Sequence, residues 1–424
     1  MRTSAFVTGG TGFLGSFLVA RLLREGRRVV ALVRGVDSVE RLRAVVKQAG
    51  GGQFTEPLMN EQLIVAAGDV SQPGLGLRTE QKKEFIKEVA EIWHCATSFK
   101  YQEHDRDVAV AQNVQGTRNV IEFAAQCNQK NTTPVFHVST VCAAPVVSGV
   151  AHEQLASSDA PCRNIYEWSK RQGEHVVARA HQEQRLPALI LRPSIIVGHS
   201  RTGTAFRCNG YYGVLRALAL LVRNLEINLG DGFDRNLRLR VLANPDLRLN
   251  LVPIDFVVDA MWQIAKNNRA WKGTQGIFHI ANESPVRVQD LFRIAQDSLG
   301  ISGIELVEEY AFQEQPMSGL ERIFYQRAQF QAPYLLECPH FDTRNFRDLI
   351  PSTLLPCPSL GAEQLYRLNE YFLAALEREF KASGRNSNSG IRTGRMIATR
   401  RLVALQRRQA LPSIDARYPL PQAA

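Results

Sequence analysis

Apolar and polar positions alternate in a regular way through the first half of the chain. Short apolar runs predict strands, and stretches with an apolar residue at every third or fourth position predict helices. The first run, SAFVTG, precedes FLGSFLVARLLREG, and a second run, RRVVALVRG, follows it. The helical stretch carries its apolar residues on one face: Phe13, Phe17, Leu18 and Leu22. This order predicts an α/β protein with a Rossmann-type, doubly wound parallel sheet.

The same alternation continues to residue 199 and then weakens. Further strands are predicted in QLIVAAGDV, EIWHCAT, PVFHVSTVCA and PALILRPSIIVG, with helices in KKEFIKEVA, NVQGTRNVIEFAAQC and YEWSKRQGEHVVARAH. Strand and helix signals return only in NLVPIDFVVDAMWQIA and GIFHIAN. We therefore predict a dinucleotide-binding domain over 1–199 and 249–282, a smaller substrate lobe over 200–248 and 283–382, and a basic flexible tail over 383–424.

A glycine-rich turn, TGGTGFLG, separates the first predicted strand from the first predicted helix. In this arrangement Gly9 permits the tight turn, Gly12 lets the backbone approach a pyrophosphate, and Gly15 lets the helix pack on the strand. The free N–H groups at the start of the helix attract the anion. The turn thus predicts a dinucleotide site rather than a plain strand-to-helix connection.

The end of the second strand distinguishes the two nicotinamide cofactors. An acid at this position would bind a ribose hydroxyl of NAD, whereas a cation neutralises the additional phosphate of NADP. The chain has Arg34 directly after VVALV, and Arg41 and Arg43 follow. We predict NADPH, the alternative being a solvated surface arginine.

YEWSK places Tyr166 and Lys170 one helical turn apart on the same face. An ammonium beside a phenol favours the phenolate, so we expect Lys170 to lower the pKa of Tyr166 from about 10. Tyr166 would then exchange a proton with a carbonyl oxygen, and Lys170 would also hold the nicotinamide ribose. In HVSTV, Ser139 and Thr140 offer a hydroxyl to the same oxygen.

With these motifs in family order, the chain resembles an extended short-chain dehydrogenase/reductase. Within that superfamily it most resembles the fatty acyl-CoA reductase, male-sterility and thioester-reductase group. The matching stretches are TGGTGFLG, LVR, GDVSQPGLGL, IWHCATSF, NVQGTRNV, HVSTV, YEWSK, LRPSIIVGHSRTG and VPIDFVVDAM. They extend from residue 5 to about residue 265.

The resemblance implies roles for individual residues. Thr140, rather than Ser139, would join Tyr166 and Lys170 as the catalytic set, and Asn113 would support the neighbouring helix. The residues implied to bind the cofactor are Gly9, Gly12, Phe13, Leu14, Gly15, Arg34, Asp69, Val70, Ala96, Lys170, Pro193 and Ser194. Asp69 and Val70 would border the adenine, and Pro193 with Ser194 the nicotinamide amide. Cys95 and Thr97 stand where the family has smaller residues, which weakens the assignment of contacts there.

Charge and composition add few constraints. The net charge is +10, but from Arg385 onward eight arginines face one acid, so most of the charge lies in the tail. We therefore expect no nucleic acid partner, and we favour a solvated tail over a membrane-binding helix.

His94 and His137 stand in apolar strands without a second ligand at metal spacing, so we predict satisfied core histidines and no metal. Seven cysteines without a C-x-x-C pair, with no signal peptide or spanning segment, predict reduced thiols in a cytoplasmic protein.

These observations support one leading hypothesis and two alternatives. The leading hypothesis is reduction of an acyl thioester, on coenzyme A or acyl carrier protein, by NADPH to an aldehyde or alcohol. A sugar-nucleotide epimerase or dehydratase, or a hydroxysteroid-type alcohol dehydrogenase, would use the same tyrosine and lysine. A non-catalytic dinucleotide sensor would keep the fold without the chemistry, which the presence of Thr140, Tyr166 and Lys170 disfavours.

Overall fold

A computed structural model describes residues 4–382, apart from short gaps at 36–37, 52–53, 55, 128–132, 207–209, 231–232, 272–275 and 329–330. Cys208 and the basic tail over 383–424 lie outside the described residues, so the predictions made for them stay predictions. No helix in the described part of the chain is long and apolar enough to cross a membrane.

The strands are numbered in chain order. They are β1 (Ser4–Thr8), β2 (Arg28–Val33), β3 (Leu63–Ala67), β4 (Val89–His94), β5 (Val135–Val138), β6 (Val146–Val147), β7 (Val150–Ala151), β8 (Ala188–Pro193), β9 (Ile195–Val197), β10 (Asn236–Leu242), β11 (Arg248–Leu249), β12 (Leu251–Pro253), β13 (Ile277–Ile280), β14 (Val286–Arg287), β15 (Ser302–Val307) and β16 (His340–Phe341).

The helices follow the same order. They are α1 (Phe13–Arg24), α2 (Ser38–Gly50), α3 (Glu56–Gln62), α4 (Thr79–Glu88), α5 (Arg106–Ala109), α6 (Gly116–Cys127), α7 (Ile165–Gln184), α8 (Tyr211–Leu229), α9 (Ile254–Lys266), α10 (Val288–Leu299), α11 (Glu309–Gln313), α12 (Gly319–Ala328), α13 (Ala332–Leu336), α14 (Arg344–Leu349) and α15 (Ala362–Ala382). A π-helical segment, Val110–Gln115, joins α5 to α6.

Seven parallel strands form one sheet in the order β13-β8-β5-β4-β1-β2-β3. The chain reverses direction across the sheet at β1: β2 and β3 lie on one side, and β4, β5, β8 and β13 on the other. In such a sheet the carboxyl ends of the two strands at the reversal leave a crevice in which ligands bind. Here Thr8, the last residue of β1, lies between Leu32 of β2 and His94 of β4. The predicted Rossmann-type fold class is confirmed.

Two groups of buried apolar side chains cover the faces of the sheet, and a third forms the core of the lobe. The lobe core joins α8, α10 and α15 to the twisted pair β10 and β15. Residues 340–350 fall within the range predicted for the lobe but pack on the sheet domain. There β16 pairs with β7, and Phe346 of α14 is buried in the core that covers one face.

Candidate active site

The dinucleotide turn after β1 needs glycine at two positions for steric reasons. Gly9 has φ +74°, and a Cβ there would lie 2.6 Å from the backbone nitrogen of Ala96. A Cβ on Gly15 would lie 2.2 Å from the carbonyl oxygen of Gly9. The N–H of Gly12 donates to that same carbonyl at 2.9 Å, and α1 begins at the next residue. The turn thus presents the start of α1 to the crevice at the end of β1.

One cavity of about 340 Å³ begins at this turn and extends into the lobe. It is lined by every residue predicted to bind the cofactor or to act in catalysis: Gly9, Gly12, Phe13, Leu14, Gly15, Arg34, Asp69, Val70, Ala96, Thr140, Tyr166, Lys170, Pro193 and Ser194. The sequence motifs, separated by up to 185 residues in the chain, therefore meet around a single space.

At the adenine end, Arg34 is exposed directly after β2 and borders the cavity. Its guanidinium makes no hydrogen bond or ion pair with any described residue, although Asp37, three positions later, is not among them. Asp69 is held in place by the backbone N–H and the hydroxyl of Ser71, each at 2.9 Å. Arg43 donates to Asn60 at 2.8 Å and does not line the cavity.

The helix that carries the catalytic candidates, α7, is held at its first turn and at its middle. Asn164 caps the first turn by accepting from the N–H of Glu167 at 3.0 Å. Deeper in the protein, Glu174 accepts two hydrogen bonds from the guanidinium of Arg192 on β8, at 2.8 and 2.7 Å. Both side chains are fully buried, so this bidentate ion pair fixes α7 against the sheet.

Tyr166 is half-buried at the cavity wall, where the ring of Phe99 stacks on it at 5.2 Å between centroids. Burial raises the pKa of Tyr166 well above 10, and the neighbouring Tyr101 raises it further. A hydrogen bond with Thr140 acts in the opposite direction without reversing the shift. The prediction that Lys170 brings this pKa below 10 is wrong, because the shift is upward and burial is its largest cause. The phenol is protonated at neutral pH and is therefore a proton donor.

Lys170 points toward β5, and its Nζ donates to the carbonyl of Val138 at 2.6 Å. Burial lowers the pKa of Lys170 to about 8, and the opposing charge of Glu174 limits the fall. Thr140 follows the end of β5, and its hydroxyl accepts from the N–H of Cys142 at 3.3 Å. Ser139 also lines the cavity, and its buried hydroxyl has no hydrogen-bond partner among the described residues.

The far end of the cofactor region is formed where β8 ends. Ser194 donates its hydroxyl to the carbonyl of Asn250 at 2.7 Å, and its N–H to the carbonyl of Ile280 at 3.0 Å. These bonds fix Pro193 and Ser194 at the cavity wall, where the nicotinamide amide is predicted to bind. Carbonyl groups of Asn250, between β11 and β12, and of Ile280 on β13 thus hold the same short segment.

Asn113 lies in the π-helical segment and makes the contacts expected of a supporting residue. Its Oδ1 accepts from the N–H of Ser98 at 2.7 Å and from the hydroxyl of Thr97 at 3.1 Å. Its Nδ2 donates to the hydroxyl of Ser169 on α7 at 2.9 Å. The unusual Thr97 is therefore accommodated by Asn113.

Burial raises the pKa of the neighbouring Cys95 to about 12, so its thiol stays neutral.

The two strand histidines differ from each other. His94 hydrogen-bonds through both ring nitrogens, as expected of a satisfied core histidine. His137 lies beside it with ring centroids 5.3 Å apart, but neither of its nitrogens has a hydrogen-bond partner among the described residues. No group of three or more histidine, cysteine or acidic side chains in the described ranges is arranged to hold a metal ion.

Beyond Tyr166 the cavity continues between helices of the lobe, a region for which the sequence motifs name no residues. Its wall there is formed mainly by apolar side chains of α8, α10 and α13, together with Leu249 of β11: Tyr211, Val214, Leu215, Leu249, Leu291, Phe292, Ala295 and Leu335. Among the described residues that line the cavity, only Arg34, Asp69 and Lys170 carry charge. All three belong to the cofactor and catalytic region. The only sequence feature that could have indicated this apolar wall is the helical spacing of Leu291, Phe292 and Ala295. The same spacing is equally typical of a buried core.

Comparisons with known proteins agree with this geometry. A family profile described as male sterility protein matches residues 7–261. The fatty acyl-CoA reductase wat of Drosophila melanogaster is 26% identical over 297 residues, 62% of this chain and 54% of that protein. Fatty acyl-CoA reductase 1 of Mus musculus is 30% identical over 291 residues, 60% of this chain and 52% of that protein. The chain thus spans about half the length of these curated relatives.

Among solved structures, the terminal R domain from the myxalamid PKS-NRPS biosynthetic pathway is similar with a TM-score of 0.70. The match covers 89% of this chain and 91% of that one at 24% sequence identity, which supports the fold alone. The resemblance to extended short-chain dehydrogenases/reductases, drawn from the sequence motifs, is confirmed.

Proposed function

We propose that this chain, which belongs to the male sterility protein family, reduces an acyl thioester with NADPH. The observation that carries the proposal is the continuous cavity from Tyr166 and Lys170 to the apolar wall of the lobe. A hydrocarbon chain is stabilised by burial against such a wall. A sugar nucleotide would place a diphosphate there, and the described part of that wall offers it no cation.

NADPH supplies the hydride in this reaction, and the protein provides the proton and the binding of charge. As the thioester carbonyl carbon accepts hydride, negative charge develops on its oxygen. The hydroxyls of Thr140 and Tyr166 stabilise that charge by hydrogen bonding. Tyr166 can supply the proton because its phenol is protonated at neutral pH. Cleavage of the C–S bond then gives an aldehyde and a free thiol, with one proton and one hydride consumed.

Arg34 provides the preference for NADPH in this proposal. It borders the cavity directly after β2, and its guanidinium is not paired with any described acid. The 2′-phosphate of NADPH would form a charge-assisted hydrogen bond with it, which a ribose hydroxyl cannot match. The substrates we propose are acyl-CoA and acyl carrier protein, because both present a thioester on a long flexible arm.

The experiment follows NADPH loss and thiol release together, on medium-chain and long-chain acyl-CoA and on acyl carrier protein. One thiol per NADPH indicates an aldehyde product, and one thiol per two NADPH indicates an alcohol. Tyr166→Phe is the matched control and should abolish both signals.

The alternatives give different results in the same assay. Turnover of a ketone or a UDP-sugar without thiol release from any thioester would favour an alcohol dehydrogenase or an epimerase. NADPH binding without turnover of any substrate, in wild type and Tyr166→Phe alike, would favour a sensor.

A further inference from the structure

A line of buried hydrogen bonds crosses the carboxyl end of the sheet beneath the cavity. Its centre is the imidazole of His94, whose Nδ1 lies 2.8 Å from the hydroxyl of Thr8 and whose Nε2 lies 3.1 Å from the hydroxyl of Thr117. Thr8 is the last residue before the dinucleotide turn, and Thr117 lies on α6. All three side chains are buried, and none of them lines the cavity.

The neighbouring bonds determine which atom donates along this line. The hydroxyl of Thr8 accepts from the N–H of Ala96 at 3.2 Å, and its own proton remains available for Nδ1 of His94. The hydroxyl of Thr117 donates to the carbonyl of Asn113 at 2.7 Å, so it accepts from Nε2 of His94. Both requirements are met by one neutral tautomer, with the proton on Nε2. Burial lowers the pKa of His94 to about 3, consistent with that neutral state.

The line continues from Asn113 into the catalytic helix. The Nδ2 of Asn113 donates to the hydroxyl of Ser169 at 2.9 Å, and that hydroxyl donates to the backbone carbonyl of Tyr166 at 3.0 Å. Close packing supports this contact, because a Cβ on Gly173 of α7 would lie 3.0 Å from the carbonyl of Asn113. The same Cβ would lie 3.3 Å from the hydroxyl of Thr117. The π-helical segment and the start of α6 are therefore packed closely against α7.

We propose that His94 is a positioning residue that couples the dinucleotide turn to the catalytic helix through Thr8 on one side and Thr117 on the other. Its ring hydrogen-bonds to Thr8 at the end of β1 and to Thr117 on α6, and Thr117 in turn donates to Asn113 of the π-helical segment that contacts α7. The inference depends on the dinucleotide site and not on which substrate is reduced. In this arrangement, binding of the dinucleotide and placement of Tyr166 favour each other.

The test measures dinucleotide affinity by NADPH fluorescence in Thr8→Val, Thr117→Val and the double variant of the full chain. Thr117 lies outside the cavity, so a direct contact cannot explain an effect of Thr117→Val on binding. We expect each single variant to weaken binding about fivefold, the equivalent of one hydrogen bond. If the bonds act as one line, the double variant should also be weakened about fivefold, rather than the twenty-five-fold that independent effects would give.

Thr133→Val provides the matched control. Thr133 is also a buried threonine, and its hydroxyl donates to the carbonyl of Cys127 at 3.5 Å, away from the line. This variant should change the melting temperature without changing NADPH affinity. The proposal is overturned if Thr117→Val binds NADPH as Thr133→Val does, or if the two line variants combine additively. Because affinity is measured without a thioester, failure of the proposed reduction would leave this result unaffected.

Discussion

Replacement of Lys170 by methionine should change how the stability of the protein depends on pH. Burial lowers the pKa of Lys170 from 10.5 to about 8. Between these two values the unfolded chain holds the proton and the folded protein does not. Stability therefore rises as the pH is raised through this range, and below pH 8 the folded state bears the full cost of the buried charge.

The size of the effect follows from the two pKa values. Between pH 7 and pH 10, release of the proton should stabilise wild type relative to Lys170→Met by about 2.5 kcal/mol. The entropy of unfolding is roughly 2.1 cal/mol/K for each residue that the structure describes. Dividing the change in free energy by this total entropy gives a change of about 3 °C in melting temperature. Methionine keeps the length and apolar character of the side chain, so packing is largely retained.

Differential scanning fluorimetry at intervals between pH 7 and pH 10 measures the effect. Other groups that titrate in this range are common to both proteins, so the difference between the two melting curves isolates Lys170. The melting temperature of wild type minus that of Lys170→Met should increase as the pH rises. Parallel curves across the whole range would refute the assignment of a buried, charged lysine whose pKa is lowered.

Four further predictions concern activity. Tyr166→Phe should retain NADPH binding while turnover falls by about 10²-fold or more, since only the proton donor is lost; near-normal turnover would place the chemistry elsewhere. Arg34→Asp should weaken NADPH far more than NADH in binding titrations, and a wild type that prefers NADH would contradict the role of Arg34. Ala295→Trp should raise KM for long-chain more than for short-chain acyl-CoA, because the indole fills the apolar end of the cavity; equal effects on both would place the chain elsewhere. Truncation after Ala382 should leave an active enzyme, and a variant that does not fold would show that the tail packs on the core.

The dinucleotide end of the site could be predicted from sequence because its constraints are local. The conformation of Gly9 and the close approach of Gly15 to Gly9 both arise within one strand, turn and helix. Tyr166 and Lys170 are one helical turn apart, so their common face follows from spacing alone. Those residues all line one cavity in the structure, and their roles stay predictions.

The protonation behaviour of the site could not be predicted in the same way. Spacing places an ammonium near a phenol, and that pair alone favours the phenolate. The pKa of Tyr166 instead reflects its burial and the nearby Tyr101, which comes from a loop 65 residues earlier in the chain. Such desolvation depends on tertiary packing, so it cannot be predicted from the spacing between Tyr166 and Lys170.

The apolar end of the cavity shows a second limit of the same kind. On α10, Ile294 and Leu299 are buried in the lobe core. Leu291, Phe292 and Ala295 are buried there as well, and these three also line the cavity. All five are apolar residues on a strongly amphipathic helix, so periodicity assigns them equally to the interior. The position of α8 and α13 opposite α10 decides which of them also line the cavity. In the proposed reductase, selectivity would therefore depend on how these helices are spaced, and substitutions that preserve hydrophobic character would still change the acyl chain that fits.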